Sequence, residues 1–154
     1  MKYKIDTTTW KRREHYEFFN GMDDPFWGTV VPVDFTECYL EAKKRRTSFF
    51  LCSLHRILTA VTVSYTHLTL PTSDLGAGAG RTDLIYFSAV PWFAFTEMKH
   101  ARSANRGDSI PRISTGKLTR SGDRLTMPVS LDVHHGFIDG RQAGEFFALL
   151  ENRE

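Results

Sequence analysis

The sequence predicts an α/β fold, a two-layer sandwich in which helices cover one mixed β-sheet. Its 154 residues, 41% of them hydrophobic, match the size of a single domain with a buried core. Segments of helical periodicity alternate along the chain with segments of β-type composition, which is typical of two-layer domains. Apolar side chains at every second position of residues 124–134 indicate a strand with one buried face.

The N-terminal end predicts a helix followed by a strand. Residues 6–9 contain Asp and Thr, which are favoured helix N-caps, before a short helix over residues 10–19. An Asn-Gly pair at residues 20–21 then ends this helix. Residues 28–35 are rich in Val and predict a strand. Within it, Pro32 favours a sheet edge or a strand end because it has no backbone N–H.

Two further helices are predicted in this half of the chain. The first is capped by Asp34 or Thr36 and runs to about Arg46, and the second covers residues 48–60. The two cysteines of the chain, Cys38 and Cys52, lie one in each helix. Their number and spacing suit neither a disulfide framework nor a metal site. We therefore expect both to be free thiols.

Residues 62–80 do not fit either pattern. A strand-like string, VSYTHLTLPT at residues 63–72, precedes a GAGAG run. One interpretation is an exposed strand followed by a flexible linker. We favour another, because the string resembles a translated transposon-end adapter from DNA library preparation, which would stand in place of native residues. We therefore treat residues 1–154 as a single domain with an N-terminal part (1–61), this anomalous segment and a C-terminal part (81–154).

The C-terminal part predicts strands and a final helix. Residues 83–88, 110–118 and 124–134 have strand composition. A Gly-Asp pair within residues 120–123 predicts a hairpin between the last two strands. Asp139 then opens a helix. The apolar side of this helix is predicted to hold Phe146, Phe147, Leu149 and Leu150.

Charge and hydropathy exclude several classes of function. Lys and Arg number 20 against 18 Asp and Glu, a net charge of +2. Neither nucleic acid nor an acidic membrane surface is therefore expected as a partner. No apolar stretch is long enough to span a bilayer. The first residues lack the apolar core of a signal peptide, which makes the cytoplasm the expected location.

The most informative segment pairs His134 and His135 with Asp139 and Gly140 between a buried strand and a helix. A histidine at a strand end is held rigidly, and its neutral imidazole can take a proton near neutral pH. Asp139 can hold the loop or pair with an arginine. A structural turn is the alternative for the whole segment, since short motifs match by chance. A metal site has little support, because no second cluster of ligands accompanies the histidines.

This His-His-x-x-x-Asp-Gly segment resembles the signature of the chloramphenicol acetyltransferase family, part of the CoA-dependent acyltransferases. Three further segments resemble that family in the same order along the chain. They are the Trp-x-Arg-Arg-Glu-His-Tyr-Glu-Phe run of residues 10–18, the Ser-Ala-Val-Pro-Trp run that starts at Ser88, and the hairpin of residues 111–130. The resemblance covers residues 1–61 and 81–154. It implies a chloramphenicol acetyltransferase-like fold that is incomplete in the middle.

The resemblance implies direct transfer of an acetyl group from acetyl-CoA to a hydroxyl group of chloramphenicol or a related small molecule, without a metal. In this implied mechanism His135 is the general base that takes the hydroxyl proton. Ser88 donates a hydrogen bond to the tetrahedral oxyanion. Asp139 is structural and pairs with Arg12, which locks the loop that carries the base.

The resemblance also implies supporting residues for the two substrates. Lys117 matches a lysine near the coenzyme, where its charge can meet a CoA phosphate. A solvated hairpin lysine is the alternative reading of that residue. Ser114 stands where the family has a threonine near the reacting centre. Phe19 stands where the acceptor pocket has a tyrosine, so one hydrogen bond to the acceptor is absent.

Members of this family are trimers in which the base of one subunit faces a pocket of the next, so the resemblance implies a homotrimer. Two alternatives to an active enzyme stay open. One is a catalytically silent member that binds a hydrophobic ligand or partner, although an intact set of His135, Ser88, Arg12 and Asp139 argues against it. The other is an inactive truncated or chimeric product, for which residues 62–80 are the reason.

Overall fold

The computed structural model describes residues 8–64, 84–102 and 108–151 of the chain. Within these ranges it contains four helices and five strands. In chain order they are α1 (Arg13–Asn20), β1 (Phe26–Asp34), α2 (Thr36–Lys44), α3 (Phe49–Ser64), β2 (Tyr86–Ala89), β3 (Arg112–Thr115), β4 (Thr119–Ser121), β5 (Arg124–His134) and α4 (Gly140–Leu150). None of these four helices is long and apolar enough to cross a membrane.

The strands form one mixed sheet in the order β1-β5-β3-β2, with β4 also paired to β5. Strands β2 and β3 are parallel, and the other pairs are antiparallel. This sheet confirms the predicted fold class. Among the strands of the described ranges, β1 pairs with β5 alone, so it forms an edge. Pro32 lies in this edge strand, where its missing N–H costs least.

The hydrophobic core lies on one face of the sheet, beneath helices α3 and α4. These helices pack on each other, and α2 packs on α3. Burial of each large apolar side chain contributes roughly 1.5–3 kcal/mol. The core therefore fixes the end of β5 relative to the start of α4. Its fully buried members include Val33, Phe35, Ile57, Val61, Val129, Leu131, Val133, Phe146 and Leu150.

The first helix begins later than the sequence predicts. It starts at Arg13, and Arg12 occupies the N-cap position without a side-chain capping hydrogen bond. The prediction of an N-cap within residues 6–9 is therefore wrong. The reason is tertiary: the Trp10 ring stacks against Phe137 with ring centroids 5.8 Å apart, which holds the chain ahead of the helix in a turn. The helix ends at Asn20 as predicted.

Helices α2 and α3 lie close to their predicted positions. The N-cap position of α2 is Phe35, so the predicted cap at Asp34 or Thr36 is wrong, and α2 ends at Lys44, two residues before the predicted end. Helix α3 continues to Ser64, four residues beyond the predicted end, and so enters the segment predicted as anomalous. Most of that segment lies in residues 65–83, outside the described residues. The predicted start of the first C-terminal strand at residue 83 falls outside them as well, and β2 is described from Tyr86.

The strand predicted over residues 110–118 is too long. Only Arg112–Thr115 forms a strand there (β3), and β4 (Thr119–Ser121) begins after the predicted end. In the register, Thr115 pairs with Val129 and Thr119 pairs with Thr126. The three residues between β3 and β4 (116–118) therefore face two residues of β5 (127–128), which is a β-bulge. Gly116 lies in this bulge, and a Cβ atom there would come within 2.6 Å of Pro128 Cγ. Close packing thus breaks the strand where its composition suggests continuity.

Strand β5 has the predicted bounds but not the predicted burial. The alternation of apolar and polar residues predicts one buried face, whereas both faces are buried over most of the strand. The polar face contains Ser130, Asp132 and His134, which are almost fully buried. Asp132 forms an ion pair with Arg102, which lies in the segment after β2. Polar groups of that segment therefore cover this face and supply partners for its buried polar side chains.

The remaining C-terminal predictions agree with the structure except at one residue. The β4–β5 hairpin closes with a two-residue turn between Ser121 and Arg124. In this turn Gly122 has a φ of 58°, a conformation that favours glycine. Helix α4 begins after Asp139, as predicted. Leu149 is 40% exposed and does not belong to the apolar side of the helix.

Candidate functional site

His135 lies directly after β5, where two hydrogen bonds hold its backbone. Its N–H donates to the carbonyl oxygen of Pro25, just before β1, at 2.8 Å. Its own carbonyl oxygen accepts from Nε2 of His15, on helix α1, at 2.9 Å. The strand end and the helix therefore fix this residue from two sides.

The imidazole ring of His135 is held by aromatic neighbours. The ring of Phe19 stacks on it with an interplanar angle of 2° and ring centroids 4.1 Å apart. The Trp27 ring lies at a centroid distance of 5.6 Å. Nδ1 of His135 is buried and has no hydrogen-bond partner among the described residues. The ring is thus oriented by packing, and no described carboxylate engages its Nδ1.

The loop between β5 and α4 is tied to helix α1 through Arg12. Nη2 of Arg12 lies 3.1 Å from Oδ2 of Asp139. Nη1 of the same guanidinium donates to Oε1 of Gln142 at 2.8 Å and to the carbonyl oxygen of Phe137 at 3.3 Å. A single arginine therefore contacts three residues that follow His135, and it holds them in one arrangement.

Asp139 combines this ion pair with the role of helix N-cap. Its Oδ1 accepts from the backbone N–H groups of Arg141 and Gln142 at 3.0 and 3.2 Å. Burial acts to raise the pKa of Asp139, but the Gln142 N–H and the Arg12 charge outweigh it, and the pKa is lowered. The carboxylate is therefore charged at neutral pH, as its ion pair with Arg12 requires.

His134 has a different environment from its neighbour. It is buried, and its Nδ1 accepts a hydrogen bond from the Gly136 N–H at 3.0 Å. Its ring stacks on Tyr16 with centroids 5.9 Å apart. Burial lowers the pKa of His134, which keeps the imidazole neutral and able to accept that bond. Of the two adjacent histidines, His134 is the packed one.

Ser88 lies far from His135 within one chain. It is an exposed residue of β2 and pairs with Ser114 on β3, which in turn pairs with Ser130 on β5. His135 comes five residues after Ser130. With the usual rise along a strand and the usual spacing between strands, Ser88 and His135 are about 19 Å apart. One chain does not bring these two residues together.

Like Ser88, Ser114 and Lys117 lie in a part of the sheet that is distant from His135. Ser114 is buried, and its Oγ lies 3.4 Å from Nε2 of His100. Lys117 lies in the bulge between β3 and β4, where its backbone N–H donates to the Phe93 carbonyl at 2.9 Å and its side chain is exposed. The predicted residues thus form two groups. His135, Phe19, Arg12 and Asp139 meet at the end of β5, whereas Ser88, Ser114 and Lys117 do not join them.

Two side chains that contact His135, those of His15 and Trp27, were not predicted from the sequence. Arg12, His15 and Phe19 are spaced by three and four residues, which places them on one face of a helix. That spacing would have identified His15. Trp27 gives no such signal, because its contact depends on the pairing of β1 with β5.

No group of three or more metal-ligating side chains in the described ranges is arranged to hold a metal ion. The two histidines at the end of β5 illustrate why. His134 is engaged by the Gly136 N–H, and the ring of His135 is covered by Phe19. The arrangement at His135 is suited to acid-base chemistry, since it presents a rigid imidazole in an aromatic environment.

Comparisons of sequence place the chain among known proteins. Residues 70–151 match the family model described as chloramphenicol acetyltransferase. A chloramphenicol acetyltransferase of Staphylococcus aureus is 37% identical over 138 residues, which cover 88% of this chain and 55% of that protein. One from Klebsiella sp is 22% identical over 199 aligned positions, covering 96% of this chain and 91% of that protein. The chain therefore spans about half the length of the Staphylococcus aureus relative.

Comparisons of structure agree with those of sequence. A solved structure titled chloramphenicol acetyltransferase matches with a TM-score of 0.84 and 26% identity, over 99% of this chain and 97% of that one. A probable dihydrolipoamide acetyltransferase from Listeria monocytogenes matches with a TM-score of 0.53 and 10% identity, over 99% and 93% of the two chains. That second likeness concerns the fold alone.

Proposed function

Because the chain belongs to the chloramphenicol acetyltransferase family, we propose that it transfers an acetyl group from acetyl-CoA to a hydroxyl group of chloramphenicol or a related small molecule. The observation that carries this proposal is the arrangement of His135. Its backbone is fixed on both sides, its ring is stacked on Phe19, and its Nδ1 has no hydrogen-bond partner in the part of the chain that the structure describes. A histidine held in this way is positioned to take a proton from a bound hydroxyl group.

In the proposed reaction, His135 takes the proton of the acceptor hydroxyl as the oxygen attacks the thioester carbonyl of acetyl-CoA. A new carbon–oxygen bond forms and gives a tetrahedral oxyanion. This intermediate collapses with cleavage of the carbon–sulfur bond, and the imidazolium returns its proton to the departing thiolate. The products are an acetate ester and CoA. No acyl-enzyme forms, so both substrates must be held together at the base.

Ser88 is proposed as the hydrogen-bond donor to the oxyanion, supplied by a second copy of the chain. The distance of about 19 Å between Ser88 and His135 in one chain, estimated from strand geometry, supports this arrangement. Ser88 is also exposed and therefore available to a partner. A homotrimer with closed symmetry would create three such sites, each between two subunits.

Other residues are proposed to support the site. Arg12 and Asp139 would hold the loop that follows His135, because their ion pair joins that loop to α1. The exposed ammonium of Lys117 would pair with a CoA phosphate. Ser114 would act near the reacting centre, where the family has a threonine. Acetyl-CoA is a cytoplasmic metabolite, so the cytoplasm is the proposed location.

The acceptor is proposed to lie against Phe19, beside the base. The aromatic ring offers an apolar surface and no hydroxyl group at this position. An acceptor that depends on a hydrogen bond there would bind more weakly. This favours a relative of chloramphenicol that places an apolar group next to its reactive hydroxyl. A panel of hydroxyl compounds, with chloramphenicol among them, would identify it.

The experiment that tests the proposal measures thiol release from acetyl-CoA in the presence of this acceptor panel. We expect His135→Ala to lower turnover by at least about 100-fold, the usual contribution of a general base. The matched control is His55→Ala, which removes an exposed histidine of α3 and should leave turnover unchanged. Sedimentation of both variants would show that assembly is intact. Retained turnover in His135→Ala would overturn the assignment of the base.

A second candidate is an inactive product of a gene whose central part has been replaced. One observation favours it: the alignment with the Klebsiella sp relative runs over 199 positions, whereas the chain has 154 residues. At least 45 positions of the alignment therefore lack a counterpart in the chain. Sequencing the gene across codons 55–85 separates the candidates. A longer product without the string at residues 63–72 would identify that string as foreign.

A further inference from the structure

We infer that His15 is a positioning residue for His135, acting through the backbone rather than through the imidazole. Its Nε2–H holds the carbonyl oxygen of His135, and this bond fixes the direction in which the His135 side chain leaves the strand. The catalytic consequence rests on the proposed function. The structural consequence, a fixed His135 ring, does not depend on activity.

The carbonyl of His135 is at a point where the sheet no longer orders the chain. Strand β5 ends at His134, and the carbonyl oxygen of His134 already accepts bonds from Phe137 and Ile138. The N–H of His135 is held by Pro25. With the carbonyl also held, both peptide groups that flank the His135 Cα are fixed. Without His15, the carbonyl oxygen of the second group would lose this partner, and only the Gly136 N–H, which donates to Nδ1 of His134, would still hold that group.

The identity of the donor follows from the acceptor. A carbonyl oxygen only accepts hydrogen bonds, so Nε2 of His15 carries the proton. The charged imidazolium and one neutral tautomer both have a hydrogen on Nε2. The contact therefore persists whether or not His15 is charged. Its effect is on geometry, and no change in the protonation of His15 is required.

His15 also contacts the aromatic ring that stacks on the base. The ring centroids of His15 and Phe19 are 4.9 Å apart, and the His15 and His135 rings meet edge to face at 5.6 Å. His15 and Phe19 are one helical turn apart on α1. One side chain thus supports the backbone of His135 and the packing around its ring.

This double contact matters because His135 has no hydrogen bond at Nδ1 within the described residues. In many enzymes a third group bonds to the second nitrogen of a catalytic histidine and orients its ring. Here that orientation depends on the Phe19 stack and on the backbone held by His15. Loss of the His15 donor should therefore loosen the ring although His15 does not touch the substrate.

The structural test uses nuclear Overhauser effects between the His135 and Phe19 rings, measured on the full chain. His15→Phe keeps an aromatic ring but removes the donor, and His15→Asn carries an amide too short to reach the carbonyl. His15→Gln places an amide nitrogen near the position of Nε2. We expect weaker ring contacts in the first two variants and parent-like contacts in His15→Gln. Parent-like contacts in either donor-deficient variant would overturn the inference.

The kinetic test separates this inference from the proposed function. We expect His15→Phe and His15→Asn to lower kcat by about 10- to 100-fold, the cost of a misplaced catalytic group, with little change in KM for acetyl-CoA. His15→Gln should recover most of kcat. His55→Phe, at an exposed histidine, is the matched control. If His135→Ala is fully active, the role of His135 as the base in the proposed function fails. If His135→Ala is inactive and His15→Phe matches the parent, only this inference fails.

Discussion

At the scale of single residues, the two cysteines show how the environment gives chemically identical side chains different accessibility and reactivity. Cys38 on α2 is 3% exposed, and Cys52 on α3 is half-buried. Their sulfur atoms lie 3.0 Å apart. Burial, together with the hydrogen bond to Cys52, raises the pKa of Cys38 to about 12. Cys38 is therefore almost entirely a thiol at neutral pH, and thiols react far more slowly than thiolates.

We predict that iodoacetamide alkylates Cys52 well before Cys38. The reagent needs an accessible thiolate, and Cys38 offers neither access nor charge. Peptide mass mapping after timed quenching measures the two rates. In a chain unfolded by urea the two cysteines should react at similar rates, which is the control. Equal rates in the folded protein would contradict the environment described for Cys38.

At the scale of secondary structure elements, local signals predict some boundaries and miss others. Alternation predicts the bounds of β5, and the Asp139-Gly140 pair predicts the start of α4. The bulge at Gly116 is missed because its cause, contact with Pro128, joins residues that are distant in sequence. The buried polar face of β5 is missed for the same reason.

Some residues of the candidate site could likewise be predicted from the sequence, and others could not. The motifs identify His135, Arg12 and Asp139, and the structure brings these three residues into one region. Periodicity could have identified His15, because it shares a helix face with Arg12. Trp27 could not be found in this way, since only the pairing of β1 with β5 carries it to the base.

The link between α1 and α4 gives a prediction at this scale. Asp139→Asn keeps a side-chain oxygen that can cap the helix but loses the charge that faces Arg12. The pair is partly exposed, with Asp139 at 38%, so at about pH 6 we expect a loss of about 0.5–1 kcal/mol in the free energy of unfolding. Urea unfolding followed by circular dichroism measures it.

The pH dependence of that loss has a definite sign. The folded protein lowers the pKa of Asp139 from an unfolded value near 3.9. The stabilisation is therefore present above the unfolded pKa and is lost as the pH falls through the folded pKa. The difference between the parent and Asp139→Asn should shrink below about pH 4. A constant difference down to about pH 3 would contradict the ion pair.

A matched control for this prediction lies on the same helix. Glu145→Gln breaks the exposed pair of Arg141 and Glu145, whose charged atoms are 3.1 Å apart. Exposed pairs of this spacing contribute about 0.2–0.5 kcal/mol. Its effect should be smaller than that of Asp139→Asn and should not depend on contacts with α1. Equal effects would show that the Arg12 contact adds nothing.

At the scale of the whole molecule, the two groups of site residues must come from different copies to form one proposed active site. His135 follows the end of β5, and Ser88 lies two strands away at the level of Ser130. Each chain would therefore contribute its base to one site and its oxyanion donor to another. Such a site is complete only in the assembled protein.

This arrangement predicts complementation between two inactive variants. His135→Ala and Ser88→Ala should each have little activity alone. Co-expression in equal amounts should recover about one quarter of the parent activity over all trimers, because one site in four would receive both intact residues. In purified mixed trimers the recovery should be about one third, because one of the three sites is intact. Differently tagged chains allow the mixed species to be purified and assayed. No recovery in purified mixed oligomers would place both residues in the same copy.

The pairing of the first strand with the last also determines when the sheet can form. Residues of β1 find their partners in β5, from Phe26 opposite His134 to Asp34 opposite Thr126. On the ribosome, β1 emerges about a hundred residues before β5, a delay of about 5–20 seconds at usual rates of synthesis. Throughout this interval its hydrogen-bonding groups have no strand to pair with. Until β5 emerges, the unpaired edge of β1 is therefore open to pairing with strands of other chains.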